Sequence, residues 1–346
     1  MESDTSPHQN PRPLVSVILS AFNGERYLSK QIDSILAQTC SNLELIICDD
    51  CSSDGTLEIA KEYARKDPRV KWVRNKTNIG IAATFQQNCH LCQGEFIAPS
   101  DQDDIWLAQK LEKQVAFLAS HPEVNLVFTD DMVVNDDASK ELGSYQQKLG
   151  NPSRGGLIPI GVMLKRHLPP WHVTCFRRSL FDKILPVPEE STLFIDAWVV
   201  LAGALTAPVG YINECLVLYR QHQKNVVGSW TRNYGFYFKR LNDAAFLSEY
   251  FKDKSGQLAA HRRLFGFGGT DSAMRSLKEK IQNEAVLVSI VEARDFRSYI
   301  SRLLTALVTI LKSEQEYHLQ QWAFLALSWG GIKRLHRSGL SANVQV

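Results

Sequence analysis

The sequence predicts an α/β protein: an open, mostly parallel sheet with flanking helices, followed by a helical C-terminal extension. Two observations lead to this fold class. In the first hundred residues, apolar runs of strand length alternate with segments of helical period, which is the βαβ pattern of a parallel sheet. Beyond about residue 230, only helical patterns remain.

Four strands and three helices are predicted in the first part of the chain. The run LVSVILS (14–20) is continuous and β-branched, as in a strand buried on both faces of a parallel sheet. The helix that follows has one apolar face, formed by Tyr27, Leu28, Ile32, Ile35 and Leu36. The other strands are predicted at 43–50, 70–74 and 95–100, and the other helices at 57–66 and about 79–93.

The pattern is less regular from residue 105 to residue 228. A helix is predicted from residue 105, and residues 136–170 lack clear periodicity, which favours a mobile functional segment. The other elements of this part are predicted as strands at 125–134 and 172–178, helices near 179–185 and at 194–207, and a strand pair over 208–222. The C-terminal extension is predicted to contain helices at 231–251, 256–265, 272–291, 294–312 and 317–337.

The composition indicates a soluble, cytoplasmic chain. Hydrophobic residues make up 44% and charged residues 22% of its 346 residues. The best apolar run, at 322–331, is about half as long as a bilayer-spanning helix needs. Residues 1–13 are polar and proline-rich, so they are expected to form a disordered leader without a signal core. Seven cysteines, an odd number, favour reduced thiols.

Charge is distributed unevenly along the chain. Residues 231–346 contain 17 Lys and Arg against 10 Asp and Glu, whereas the preceding part is slightly acidic. Near the C-terminus, an aromatic and apolar stretch is joined to Lys333, Arg334 and Arg337. This segment either contacts the inner face of a membrane peripherally, or packs on the rest of the chain with its charges in solvent.

The segment SDQDDIW (100–106) places three carboxylates in four positions at the end of a predicted buried strand. Like charges this close raise one another's pKa, so a bound cation is expected to offset them. Mg²⁺ and Mn²⁺ prefer oxygen ligands, and Asp101 and Asp103 can direct two carboxylates to one such ion. The alternative is that Asp103 or Asp104 only caps the next helix, which needs one carboxylate rather than three.

Polar side chains also follow the first two predicted strands. Asn23 and Glu25 lie in the first βα turn, and Asp49 and Asp50 end the second strand. Ligands of such sheets bind beyond the carboxyl ends of the strands, so these groups are placed to read a base and a ribose. The chain has no GxxxxGK[ST] motif, and no GxGxxG follows the first strand. The pattern therefore favours a nucleotide diphosphate held through a metal ion.

Four segments together resemble the family 2 glycosyltransferases of GT-A (Rossmann-like) fold. They are VSVILSAFNGERYLSKQIDSILAQT, LELIICDDCSSDGT, NIGIAATFQQNCHLCQGEFIAPSDQDDIW and YRQHQKNVVG. They occur in the family's order, and SDQDDIW is similar to the rhamnosyltransferase-like branch. The resemblance implies a glycosyltransferase domain at 14–228, with a nucleotide-sugar half at about 14–104 and an acceptor half at about 105–228, before the helical region 229–346.

The resemblance also implies an activity. Members of the family transfer one sugar, with inversion, from a nucleotide-diphosphate sugar, and they use a divalent metal such as Mg²⁺ or Mn²⁺. The implied donor is dTDP-rhamnose or a UDP-hexose. The implied acceptor is a glycan or a lipid-linked saccharide of cell-surface polysaccharide synthesis, and no nucleic-acid partner is expected.

Site residues follow from the resemblance position by position. The implied nucleotide-sugar-binding residues are Ala21, Asn23, Glu25, Asp49, Asp50, Asn78, Gly80, Asp101, Asp104, Arg220 and His222. Asp101 and Asp103 become the Asp-x-Asp metal pair. Asp196, in FIDAW, takes the place of the catalytic base, with Glu189 and Glu190 in reserve.

Three other interpretations stay open. The pairs Cys48/Cys51 and Cys89/Cys92 have zinc-site spacing, but they fall on a predicted strand and helix rather than on a zinc knuckle. A nucleotidyltransferase would share the sheet and the metal carboxylates, although SAFNGERY is a poor version of the Gly-rich basic loop that such enzymes generally carry. A nucleotide-sugar-binding protein without catalysis would keep the pocket, but the presence of both Asp-x-Asp and Asp196 argues against it.

Overall fold

The computed structural model describes residues 13–148, 154–163, 168–187, 195–223, 225, 256–257, 259–264, 266, 268–269 and 271–289. The chain divides into two compact units. The first comprises residues 1–157, 169–185 and 209–220, and the second comprises residues 158–168, 186–208 and 221–346. The predicted leader up to residue 12 and the helices predicted at 231–251, 294–312 and 317–337 lie outside the described residues. The domain boundaries at residues 14, 104 and 228 stay predictions.

Among the described residues, ten strands form one sheet. They are β1 Val15–Ala21, β2 Leu43–Asp49, β3 Val70–Arg74, β4 Phe96–Ser100, β5 Ile105–Trp106, β6 Leu126–Val134, β7 Glu141–Ser144, β8 Gly156–Ile158, β9 Thr174–Arg177 and β10 Val209–Arg220. The helices are α1 Leu28–Leu36, α2 Thr56–Lys66, α3 Ile81–Asn88, α4 Lys110–Ser120, α5 Tyr145–Lys148, α6 Ile160–Met163, α7 Phe181–Ile184, α8 Ile195–Thr206 and α9 Asp271–Ser289. Short 3₁₀ turns occupy Cys89–Leu91, Trp171–Val173 and Arg178–Leu180.

The sheet is mixed and mostly parallel, with the strand order β3-β2-β1-β4-β9-β6-β10-β5. β1 pairs in parallel with β2 and β4, and β2 pairs in parallel with β3. β9 enters antiparallel between β4 and β6, and β6 is again parallel to β10. The predicted α/β class, a mostly parallel sheet with flanking helices, is therefore confirmed.

The core of the first unit forms around β1 and β2. Every residue of these two strands is buried, as their continuous apolar runs predict. α1 buries Leu28, Ile32 and Ile35, whereas Leu36 is only partly buried. Each such side chain stabilises the fold by ~1.5–3 kcal/mol relative to exposure.

The helix predicted from residue 105 begins later, at Lys110. Ile105 and Trp106 instead pair antiparallel with β10. This pairing gives their backbone groups the hydrogen bonds of a strand ladder, whereas the N–H groups of a first helical turn have no partner within the helix. Trp106 is buried, and Lys110 Nζ lies 3.7 Å from the centroid of its ring. The N-cap of α4 is Gln109, so the interpretation of Asp103 or Asp104 as a helix cap is wrong.

The strand pair predicted over 208–222 is also wrong, because β10 is one strand of 12 residues. Its register against β6 shifts between Ile212 and Val217, so the polar residues Asn213 and Glu214 lie in a bulge within one strand. The strand predicted at 172–178 is shorter, since a 3₁₀ turn precedes β9. The segment 136–170, which lacks clear periodicity in the sequence, contains β7, α5, β8 and α6 in its described parts.

The described part of the second unit is helical. α8 and α9 agree with the helices predicted at 194–207 and 272–291 to within two residues. α9 packs against α6 and α8, and a Cβ added to Gly161 of α6 would lie 2.9 Å from Ser276 Oγ. Within the described residues, no helix is both long and apolar enough to span a bilayer.

Candidate active site at the strand ends

Three parallel strands end at one edge of the sheet. Ala21 at the end of β1 is paired with Asp49 of β2, and Leu19 is paired with Ser100, the last residue of β4. The loops that follow these strands therefore begin side by side. This places together the predicted residues of the first turn, the Asp49–Asp50 pair and the Asp101–Asp104 segment (hereafter the carboxylate turn), as expected for a parallel sheet.

The loop after β1 is tied to the loop after β2. Asn23 has a left-handed backbone (φ 50°), and its N–H donates to Ser52 Oγ at 2.9 Å. Its side-chain Oδ1 accepts the N–H of Ser53 at 2.9 Å. Glu25 Oε2 accepts the N–H of Gly55 at 2.7 Å. Asn23 and Glu25 thus shape the pocket wall, and their contact with a nucleotide stays a prediction.

Asp49, the last residue of β2, lies next to the second loop. Its carboxylate is fully buried, and Oδ2 lies 3.2 Å from Nε of Arg74. Oδ1 also accepts the N–H of Ser52 at 3.2 Å. Asp49 therefore holds the second loop against β3, and its predicted contact with a base is untested.

Asp50 organises the segment that leads into α3. Its carboxylate accepts the N–H groups of Ile79 at 2.9 Å and Gly80 at 2.8 Å, and an amide N–H of Asn75 at 2.9 Å. Burial favours a higher pKa for Asp50, but these hydrogen bonds outweigh it and lower the pKa below its ordinary value. Gly80 has φ 83°, which only glycine adopts readily, and Asn78 beside it is exposed.

The carboxylate turn is joined to the first loop through Gln102. The Gln102 amide accepts the N–H of Phe22 at 2.9 Å and donates to the Phe22 carbonyl at 3.1 Å. A Cβ on Gly24 would lie 2.2 Å from Gln102 Oε1, so the Gln102 amide packs directly against the glycine. The middle residue of Asp-x-Asp is thus a connector between two walls of the site.

Arg220 supports the carboxylate turn from below. This buried residue donates through Nε to the Asp103 carbonyl at 2.7 Å, and its backbone N–H donates to Asp104 Oδ1 at 3.2 Å. A second guanidinium nitrogen donates to the Asp136 carbonyl at 2.7 Å. Tyr27, whose hydroxyl bonds to Asp136 at 2.5 Å, lies against the same guanidinium. The predicted balancing of phosphate charge by Arg220 is untested, but its charge does lie under the turn.

His172 lies at the centre of the buried carboxylates. Its Nδ1 is 3.1 Å from Asp101 Oδ2, and its Nε2 is 3.0 Å from Asp131 Oδ2. The neighbouring Trp171 donates Nε1–H to the other oxygen of Asp101 at 2.8 Å. Asp104 Oδ2 lies 3.9 Å from His172 Nδ1. The imidazole of His172 thus contacts the carboxylates of Asp101 and Asp131 and lies near that of Asp104.

The electrostatics of this cluster follow from its burial. Burial alone would lower the pKa of His172, but Asp104, Asp101 and Asp131 outweigh it and hold the pKa well above its ordinary value. Burial raises the pKa of Asp104 and of Asp131. For Asp101, the bonds from His172 and Trp171 outweigh burial and lower the pKa.

The donor atoms at the carboxylate turn fit a divalent cation. One ligand atom each from Asp101, Asp104 and His172 lie within 4.8 Å of one another. Asp104 Oδ2 is buried and receives no hydrogen bond within the described part of the chain. Carboxylate oxygens with one imidazole suit Mg²⁺ or Mn²⁺. The predicted pair of Asp101 and Asp103 shares one member with this group, and the role of Asp103 as a ligand stays a prediction.

Two predicted residues belong to the second unit. Asp196 lies in the first turn of α8, where its Oδ1 accepts the N–H of Ala197 at 2.8 Å. The backbone N–H of His222 donates to Asn225 Oδ1 at 2.5 Å. The reserve candidates Glu189 and Glu190 lie outside the described residues. The role of Asp196 as a base stays a prediction.

Sequence reasoning missed His172, Trp171 and Asp131. One signal was available: Asp130 and Asp131 interrupt the apolar strand NLVFTDDMVV, which is the same kind of anomaly as SDQDDIW. Both are buried in β6. A buried carboxylate needs a partner, but nothing local in the sequence names a histidine 41 residues away.

The zinc interpretation has no structural support in the described residues. Cys48, Cys89 and Cys92 are buried, and all seven cysteines, each within the described ranges, are free thiols. Burial raises the pKa of Cys48 to about 12, which disfavours the thiolate that zinc needs. No group of three or more metal-ligating side chains among the described residues includes a cysteine.

A mostly parallel sheet with a carboxylate-rich strand edge is the framework of a nucleotide-binding α/β protein. Residues 16–185 match the family model described as glycosyl transferase family 2. Through this segment the chain belongs to the family 2 glycosyltransferases, as the resemblance implied. The rhamnosyltransferase-like branch stays a prediction.

Curated relatives are similar over the first part of the chain. The putative glycosyltransferase EpsE of Bacillus subtilis is 45% identical over 128 residues, which are 37% of this chain and 46% of that protein. The putative teichuronic acid biosynthesis glycosyltransferase TuaG of B. subtilis is 39% identical over 32% of this chain and 43% of its own length. The Escherichia coli UDP-Glc:alpha-D-GlcNAc-diphosphoundecaprenol beta-1,3-glucosyltransferase WfgD is 35% identical over 36% and 48%. The chain thus spans about half of the length of these relatives.

Solved structures support the fold. S. aureus TarS 1-349 in complex with UDP aligns with a TM-score of 0.57 at 15% identity, over 94% of this chain and 91% of that one. The TarS complex with UDP-GlcNAc gives a TM-score of 0.54 at 17% identity, over 94% and 92%. The GT-A fold predicted for the chain is confirmed.

Proposed function

We propose that the chain is an inverting glycosyltransferase that moves one sugar from a nucleotide-diphosphate sugar to a hydroxyl group of a glycan or lipid-linked saccharide. The observation that carries the proposal is the convergence of the ends of β1, β2 and β4 on the carboxylate turn, inside the segment that matches the family. The names of TuaG and WfgD, which refer to teichuronic acid and to a diphosphoundecaprenol-linked sugar, support a role in cell-surface polysaccharide synthesis.

A divalent ion, Mg²⁺ or Mn²⁺, is part of the proposal. Asp101 and Asp103 are the proposed ligands, and the nearby carboxylate of Asp104 supports an ion at this turn. When bound, the ion would neutralise the charge of a diphosphate leaving group.

The chain's own residues would bind and orient the donor. Asp49 and Asp50 would face the base, beside a wall shaped by Asn23 and Glu25. The further proposed contacts to the nucleotide sugar are Ala21, Asn78, Gly80, Asp101, Asp104, Arg220 and His222. dTDP-rhamnose and UDP-hexoses both fit this pocket chemistry.

Asp196 is proposed as the general base. Its carboxylate would accept the proton of the acceptor hydroxyl as that oxygen attacks the anomeric carbon from the face opposite the diphosphate. A base on one face and a leaving group on the other give inversion. A cytoplasmic location with peripheral membrane contact through the C-terminal helices completes the proposal, and it would bring the enzyme to a lipid-linked acceptor.

A thermal-shift panel tests the ligand class. UDP, dTDP and GDP, each with and without Mn²⁺, are added to the protein, and a ligand that binds the folded state at about 100 times its Kd stabilises it by ~2.7 kcal/mol. We expect one nucleoside diphosphate to raise Tm only with Mn²⁺, and Asp103→Asn to remove this shift. Asp137→Asn, in an exposed turn, is the matched control and should keep it. Absence of any shift would contradict the proposal.

Product analysis tests the reaction. With a donor sugar chosen from the panel, we expect release of a nucleoside diphosphate, whereas release of pyrophosphate would indicate a nucleotidyltransferase. Asp196→Asn should slow transfer by ~10²–10⁴-fold and leave nucleotide affinity unchanged. Asp271→Asn, which also removes an acidic group from a first helical turn of the second unit, should leave transfer unchanged. Transfer by Asp196→Asn at the wild-type rate would reject the base assignment.

A further inference from the structure

His172 is held on several sides by the first unit. It lies in the 3₁₀ turn before β9, its side chain is almost fully buried, and its ring stacks on Tyr219 of β10 with centroids 5.0 Å apart. Its ring nitrogens lie between Asp101 at the sheet edge and Asp131 within β6. The imidazole therefore spans the distance from the carboxylate turn to the interior of the sheet.

Both ring nitrogens face carboxylate oxygens. Each ring nitrogen can donate a hydrogen bond to its carboxylate, and a protonated Asp131 carboxyl can instead donate to Nε2, so the ring links the two carboxyl groups in either case. Asp131 is fully buried in a strand that is paired on both sides, by β9 and β10, and it provides a rigid inner anchor. Asp101, in contrast, lies in a turn whose position depends on its side-chain partners.

We propose that His172 is a positioning residue for the donor site, because it links the Asp101 carboxylate to Asp131 and so fixes its position. Trp171 holds the other oxygen of Asp101 through a hydrogen bond. The proposal rests on the proposed function, because it assigns a purpose to the fixed carboxylate. Each oxygen of Asp101 has two acceptor positions, and among the described residues one hydrogen bond reaches each oxygen. The remaining positions are therefore held in place for a metal ion or a ribose.

Trp171 and His172 act together on Asp101 because they are neighbours in the sequence. Trp171 and His172 are consecutive, and the 3₁₀ turn lets both reach the same carboxylate at 2.8 Å and 3.1 Å. Partners that orient metal-binding groups typically change metal affinity by ~10–100-fold when they are removed. We expect the same range here.

Two isosteric variants separate the two bonds of His172. The amide nitrogen of Asn lies about where Nδ1 lies, so His172→Asn can keep the bond to Asp101 and lose the bond to Asp131. The amide nitrogen of Gln lies about where Nε2 lies, so His172→Gln can keep the bond to Asp131 and lose the bond to Asp101. Asp131→Asn removes the anchor's charge. Asp130→Asn is the matched control, because Asp130 bonds to Ser144, to Gln146 and to the backbone N–H of Asp131 rather than to His172, and an Asn oxygen can still accept that N–H.

The measurement is the affinity for Mn²⁺ in the presence of UDP or dTDP, by electron paramagnetic resonance, together with Tm of each variant without ligand. We expect His172→Gln to weaken Mn²⁺ binding by ~10–100-fold and His172→Asn by less than about tenfold. Asp130→Asn should bind as the wild type does. Equal losses in His172→Asn and His172→Gln that only follow their Tm would overturn the proposal in favour of a structural role.

A second outcome would also overturn it. If His172 is itself a metal ligand with Asp101 and Asp104, both variants would abolish Mn²⁺ binding while Asp131→Asn would retain it. Failure of the wild-type protein to bind Mn²⁺ with any nucleotide would reject the proposed function instead. In that case the tie itself is still measured by Tm. His172→Asn and Asp131→Asn both act on the bond between His172 and Asp131, so their losses should be non-additive when combined, and additive losses would reject the tie.

Discussion

The two sides of the strand edge are held in place by different interactions. The loops after β1 and β2 are held mainly by hydrogen bonds from backbone N–H groups to side chains such as Asn23, Glu25 and Asp50. The carboxylate turn is held by buried charged groups, Arg220 and His172. A typical hydrogen bond contributes ~0.5–1.5 kcal/mol net, whereas removal of one partner of a buried charge costs ~3–5 kcal/mol. Single substitutions should therefore act most strongly at the turn.

The largest effect on stability is expected at Arg220. Arg220→Met removes the guanidinium donors to the carbonyls of Asp103 and Asp136, so both carbonyls lose a charged hydrogen-bond partner. We expect a loss of ~3–5 kcal/mol in the free energy of unfolding, measured in urea. Arg26→Met is the control, because Arg26 also pairs with Asp136 but its side chain is 67% exposed, and it should change stability by less than about 1 kcal/mol. Similar losses in the free energy of unfolding for Arg220→Met and Arg26→Met would contradict the expectation that substitutions act most strongly at the carboxylate turn.

Asp50 should have the largest effect among the loops, and its effect should depend on pH. Asp50→Asn places an amide where three N–H groups converge, so we expect a loss of ~1–3 kcal/mol at pH 7. The pKa of Asp50 is lowered in the folded state, so its contribution is complete above the ordinary value of about 4 and is lost as the pH falls through the lower, folded value. Urea unfolding at several pH values should show the wild type converging on the variant in acid. A difference that stays constant down to acid pH would contradict this account.

Gln102 connects the two sides, so its loss should affect ligand binding more than stability. Gln102→Met keeps the length of the side chain and removes both bonds to Phe22. We expect a loss of ~1 kcal/mol in stability and a weaker affinity for the nucleoside diphosphate identified by the thermal-shift panel. Gln93→Met, at an exposed glutamine, serves as the control. Unchanged affinity would mean that the first loop does not need the connection.

The smallest effect is expected for Glu25→Gln. The Gln amide oxygen can still accept the N–H of Gly55, so stability should change by less than ~0.5 kcal/mol. Nucleotide affinity, measured by calorimetry, tests the predicted binding role separately. A change in affinity without a change in stability would show that the charge of Glu25 contacts the ligand.

Individual segments show how much of the fold the local sequence pattern predicts. The continuous apolar run at 14–20 predicted β1 to within one residue, and the segment VKWVR at 70–74 predicted β3 without error. Ile105 and Trp106 were predicted in a helix because their local pattern is helical, yet the edge of β10 pairs with them. A strand pair was predicted over 208–222, but β6 holds the chain extended through a bulge. These errors have one cause, since a neighbouring strand overrides local propensity.

The sequence by itself determined the alternation of strands and helices and the carboxylates that end the strands, because hydrophobic period is a local property and parallel strands end at a common edge. Only the tertiary structure decided which groups bond to those carboxylates. His172 lies 71 residues from Asp101, and Arg220, whose backbone N–H donates to Asp104, lies 116 residues from it. The physical reason is that burial requires each charge to find a partner, but it leaves the partner's position in the chain to the packing of the sheet.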